Sequence, residues 1–152
     1  MTDLAYHFVA DALRDGRPVP ADGEVLRHDG KLRLCRSGLH FSRHPFDALK
    51  YAPGATLCLV RVGGEVIEPD DEDKGVCSER TILARVDATF LLRRFAADQA
   101  LSVAHLWDMP EVVREYLTTL DEGKRDAAWD AARAAARSDF KARVDAVLPL
   151  PA

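Results

Sequence analysis

The sequence predicts an α+β fold: a small antiparallel or mixed sheet carrying one short helix, followed by a helical C-terminal segment. Three observations predict it. Up to residue 88 the apolar runs are short, β-branched and broken by Gly and Pro. Beyond it, apolar residues return every three to four positions almost without interruption. The chain has 152 residues, 47% of them hydrophobic, and a domain of that size buries about two-thirds of its unfolded surface, enough for a core without disulfide staples. The expected division is a β-rich region over 1–88 and a helical segment over 89–152 that packs on the sheet or on a partner.

In chain order, Tyr6-His7-Phe8-Val9 reads as a short strand, and Gly16 to Gly23, with two Pro and two Gly, as a loop. Glu24 to Arg27 and Lys31 to Cys35 flank Asp29-Gly30, the signature of a hairpin. Gly38-Leu39-His40-Phe41 is a strand, and Ser42 as N-cap with Pro45 in the first turn opens a helix running to about Tyr51, stopped by Pro53-Gly54. Residues 56–62 and 65–67 form the strongest strand signal, with a bulge or tight turn at Gly63-Gly64; residues 81–86 are a further strand.

From Phe90 a first helix runs to about Trp107, a second opens at Pro110 behind an Asp108 cap, and a third spans about Glu122 to Leu148. On the third, Trp129, Ala132, Ala136, Phe140, Val144 and Val147 share a face, while six acids and six bases occupy the rest. That stripe is expected to dock on the sheet or on another subunit, and a narrow alanine-rich seam also suits a homodimer.

Charge and composition exclude several classes. The formal net charge of −4 resides in residues 68–74, which hold five acids and one base, so nucleic acid is not indicated as a partner. No window holds the roughly 18–20 apolar residues that cross a bilayer, and the first residues lack the order of a secretion signal. Three cysteines without a CxxC pair are expected to be free thiols, and the cytoplasm is the expected location. Cys35, His40 and His44 match no closed zinc site, and the acidic run around Asp70 to Asp73 lacks the Gly and distal Glu of a calcium loop. No metal is therefore expected. GxGxxG, P-loop, GxSxG and HExxH patterns are all missing.

Two resemblances speak to function. A strand with His7, the strand GLHFS (38–42), a helix ending ALKYA (48–52), a long apolar strand and Ser78-Glu79-Arg80-Thr81-Ile82 follow in an order that resembles the ADP-ribosyltransferase fold of the poly(ADP-ribose) polymerase type. The resemblance implies a split sheet with NAD in its cleft. His7 would bond the ribose next to nicotinamide. His40, on the strand opened by Gly38, and Tyr51 would sandwich the ring, and Ser42 would contact its carboxamide. Glu79 and His40 would be the catalytic pair, the carboxylate stabilising the oxocarbenium-like state that forms as the glycosidic bond breaks.

The run Cys35-Arg36-Ser37-Gly38-Leu39-His40, followed by Pro45, Asp47, Tyr51 and Asp73-Lys74, also resembles a family of small uncharacterised proteins of phages, prophages and actinobacteria. That resemblance implies an accessory protein without enzymatic activity that binds a host or defence protein. Whether the chain is an enzyme stays open between the two.

Overall fold

The computed structural model describes residues 3–147. Leu148, the expected end of the last helix, lies outside them. The chain forms two compact units that divide between Thr89 and Phe90.

The first unit is a five-stranded antiparallel sheet with one short helix. Strands β1 (Leu4–Val9), β2 (Val25–Arg27), β3 (Leu39–Phe41), β4 (Thr56–Ile67) and β5 (Gly75–Asp87) are joined by helix α1 (Pro45–Leu49) between β3 and β4. The spatial order is β1-β4-β5-β2, and β3 also pairs with β5. Thus β2 lies opposite Glu79–Thr81 and β3 opposite Gly75–Cys77, end to end along the same side of β5. Beyond β3, Ser42 and Tyr6 exchange two backbone hydrogen bonds of 2.8 and 3.0 Å, which draws β3 toward β1 without closing a barrel. The core is a run of alternating inward residues: Ala5 and Val9 of β1, Phe41 of β3, Cys58, Val60 and Val62 of β4, and Ile82 of β5.

Three expectations for this unit are corrected. Residues 31–35 form no strand, and β2 takes β5 rather than its sequence neighbour as partner. The physical reason is local closure: Arg33 and Ser37 bond each other's backbones at 2.8 and 2.9 Å, so the segment turns back on itself. The cap of α1 is His44, whose Nδ1 accepts from the Phe46 N–H at 3.1 Å, because Ser42 is already held in the bridge to Tyr6. The last strand starts at Gly75, six residues earlier than the apolar run suggests, since both sides of that stretch find partners in β3 and β4. The bulge falls where the two glycines predict it, between Gly63 and Val66.

The second unit holds α2 (Thr89–Ser102), a 3-10 turn at Ala104–Leu106, α3 (Glu111–Thr119), a 3-10 turn at Glu122–Lys124 and α4 (Arg125–Val147). Pro110 rather than Asp108 stands at the start of α3, with no side-chain cap. Its core is Ala104, Met109, Val113 and Ala128, with Ala131 and Ala132 packed against it. The stripe expected on α4 divides: Ala132 packs against this core and Val144 is half-buried, whereas Trp129 and Phe140 are each 70% exposed, and Ala136 and Val147 are exposed as well. Alanines face α3 because they permit close helix approach. No helix among the described residues is long and apolar enough to cross a membrane.

Candidate functional site

The first unit contains a cleft of about 790 Å³. His7 enters it from β1, Ser37, Gly38, His40 and Ser42 from β3 and its approach, Tyr51 from the end of α1, and Lys74 and Arg80 from β5 and the turn before it. Five of the six residues expected to surround a nucleotide thus line one concavity.

Glu79 is the exception. Residues paired across an antiparallel ladder share a face, and successive residues alternate. His7 pairs with Cys58; Cys58, Val60 and Val62 share a face of β4; Val62 pairs with Arg80, which also pairs with Leu26. Arg80 therefore stands on the cleft side. Glu79 stands on the other, opposite Gly63 and Arg27, where the Arg27 Nε donates to its Oε1 at 3.0 Å and both side chains meet solvent. The cleft receives a guanidinium where the resemblance implies a carboxylate.

The remaining side chains differ in how free they are. The His40 Nε2 accepts the Cys35 N–H at 3.0 Å, so this ring ties down a loop in which Cys35 holds a left-handed φ of 65°. Burial, then the charges of Lys74, Arg80 and Arg14, lower the His40 pKa, against a smaller opposing contribution from the Gly38 carbonyl. The His7 pKa lies well below the usual imidazole value, first through burial and then through Arg80 and His40. Both shifts favour the neutral ring at pH 7. Unlike His40, His7 makes no side-chain hydrogen bond among the described residues.

Tyr51 donates to the Asp73 Oδ1 at 2.6 Å, and the Lys74 ammonium sits 3.9 Å from its ring centroid, occupying one face of the ring that stacking would need. Ser42 is buried within its bridge to Tyr6. Gly38, at φ +117°, is required by packing: a Cβ there would lie 2.4 Å from the Val76 Cγ2 and 2.8 Å from the Leu32 Cδ2.

The cleft is also electropositive. Arg14, Arg17, Arg36, Lys74 and Arg80 line it against one carboxylate, Asp15, which is already paired with Arg17 at 2.8 Å. A chain of net charge −4 keeps its acids elsewhere and focuses positive potential in a concave, low-dielectric place. Sequence reasoning missed these cations because Arg14 and Arg17 sit around a Gly/Pro loop and Arg80 beside a more familiar glutamate. The usable signal was an arginine inside a β-branched strand. A further pair went unnoticed: the Ser37 Oγ and His28 Nε2 are 2.9 Å apart on the cleft wall.

A family model described as a domain of unknown function, DUF7666, matches residues 4–94, which spans the whole sheet and every residue of the cleft. No curated protein and no solved structure matches the chain.

Proposed function

The chain belongs to the DUF7666 family, and from the cleft that its matched residues build we propose that it binds a nicotinamide-type nucleotide, NAD being the candidate. The observation that carries this reading is convergence. His7, Gly38, His40, Ser42 and Tyr51 are scattered over 45 positions of the chain and line one cleft, whose volume falls in the roughly 300–1,000 Å³ range of small-molecule sites. Neutral His7 offers a ring N–H to a carboxamide or ribose oxygen, and Lys74 and Arg14 at the cleft wall offer charge to a pyrophosphate. The reading is of binding, with degenerate transferase chemistry. Glu79 lies on the other face of β5, and Asp15, the one cleft carboxylate among the described residues, is engaged by Arg17.

Thermal unfolding with and without NAD tests it. A ligand at one hundred times its Kd stabilises by about 2.7 kcal/mol, so millimolar NAD is expected to raise Tm visibly. The absence of any shift at that concentration ends the reading. Glu79→Gln is expected to leave the NAD shift intact.

A second reading, a phage or prophage accessory protein that binds a host or defence protein, is supported by the aromatic side chains left uncovered on α4. The same surface suits a homodimer. Sedimentation of the wild type and of Trp129→Ala/Phe140→Ala separates the two, because only self-association through this stripe makes the wild-type mass depend on concentration and on both aromatics.

A further inference from the structure

Arg80 is the only charged side chain among the described residues that is buried, at 5% exposure. A guanidinium taken out of water costs several kcal/mol unless a carboxylate or a full set of acceptors meets it. Arg80 meets neither. It forms no ion pair among the described residues, although thirteen are found elsewhere, and its one hydrogen bond donates from Nη1 to the His40 carbonyl. A guanidinium carries five N–H groups. No fully buried side-chain nitrogen or oxygen in the described residues lacks a partner, so the guanidinium nitrogens of Arg80 without a hydrogen bond keep some access to solvent, and Arg80 lines the cleft. His7, on the same face of the sheet two strands away, likewise has no hydrogen bond for its ring among the described residues.

We propose that Arg80 and His7 form a subsite for one oxyanion, a phosphoryl or carboxylate group of the ligand, with the Lys74 ammonium supplying a second charge in the same cleft. The planar fork of Arg80 suits two parallel hydrogen bonds to adjacent oxygens, and neutral His7 adds one N–H. Lys74 has no carboxylate partner among the salt bridges of the described residues and rests on the Tyr51 ring. Desolvation lowers the Arg80 pKa to about 10, so it stays protonated at neutral pH. An anion beside His7 favours its charged form, so binding is expected to take up a proton and to tighten as pH falls toward 6. The subsite does not require the nicotinamide reading, since any ligand with an exposed phosphate or carboxylate meets the same groups.

The test is a set of Tm titrations of the full chain with phosphate, pyrophosphate and acetate against chloride at matched ionic strength, on the wild type, Arg80→Met, Arg80→Lys, Lys74→Ala and His7→Phe. Kosmotropic anions stabilise most proteins through exclusion from their surface. That contribution is common to wild type and variants, so the difference between them is the readout. The wild type is expected to gain a saturable shift that Arg80→Met lacks, and Arg80→Lys, Lys74→Ala and His7→Phe are expected to bind at least tenfold more weakly. Arg80→Met, freed of an uncompensated buried charge, is expected to melt above the wild type in chloride; should it fail to fold, the other three variants carry the comparison. Phosphate acting where acetate does not assigns a phosphoryl group, and the reverse a carboxylate. Equal shifts in wild type and variants, or no saturable shift with any of the three anions, overturn the subsite. A pyrophosphate shift without an NAD shift leaves the subsite standing and removes the nicotinamide reading.

Discussion

The sheet unit and the helical unit obey opposite packing logics. In the sheet, Phe41, Val60 and Val76 are wholly buried, and a charged residue is buried with them. In the helical unit the buried positions are mostly small, while Trp129, Phe140, Leu106 and Phe90 are exposed. A core of large interlocked side chains makes a rigid wall able to hold a cleft and tolerate a buried charge; alanine packing makes slender helices whose aromatics stay available. Site and candidate contact surface therefore reside in different units for a physical reason, and substitutions that look alike should have unlike effects.

The widest gap is expected between aromatics. Phe41→Ala should cost about 3–5 kcal/mol of stability, as truncation of a buried Phe does, whereas Trp129→Ala or Phe140→Ala, removing as large a ring from water-facing positions, should cost below about 1 kcal/mol. Urea denaturation of the three variants measures this, and a large loss at Trp129 would erase the contrast. Next comes Gly38→Ala, where a left-handed φ and a Cβ 2.4 Å from Val76 should together cost roughly 1–3 kcal/mol.

A pH effect should follow, confined to the sheet. The folded pKa of His7 is depressed, so the unfolded chain binds the proton first, near its ordinary value of about 6.5. Stability contributed by neutral His7 is complete above about pH 6.5 and is lost as pH falls toward the folded value. The depressed pKa of His40 acts in the same sense, through burial first and then the charges of Lys74, Arg80 and Arg14. Denaturant midpoints between pH 7 and 5 should fall in the wild type and fall less in His7→Gln. The carboxylates with depressed values, Asp15, Asp73 and Asp87, lose their contribution only below about pH 4, outside that window. The smallest effect is expected at Glu79, where the exposed Arg27 partner makes Glu79→Gln worth about 0.5 kcal/mol or less.

Much of this was readable in the chain itself, and the misses have physical causes. Short β-branched apolar runs exposed β1, β4 and part of β5, and Gly63-Gly64 marked the bulge, because these depend on neighbours in sequence. The pairing of β2 with β5 joins Arg27 to Glu79, 52 positions apart, and nothing local announces it; Asp29-Gly30 looked like a hairpin turn because turn chemistry is local and pairing is not. The α4 stripe was legible only in part: its Ala132 packs beside Ala128 and Ala131, whereas Trp129 and Phe140 stay exposed, because periodicity marks a face and side-chain size decides how much of it a close helix contact takes in. Five residues of the cleft followed from their order along the chain. Arg80 was hidden by its neighbour.

On an extended strand a guanidinium and a carboxylate in adjacent positions are exchanged by register, since sliding β5 by a single residue against β2 and β4 would present Glu79 inward in place of Arg80. One insertion or deletion between Val76 and Arg80 that shifts this register would thus trade the one buried cation of the described residues for an anion and carry Ile82 out of the core with it.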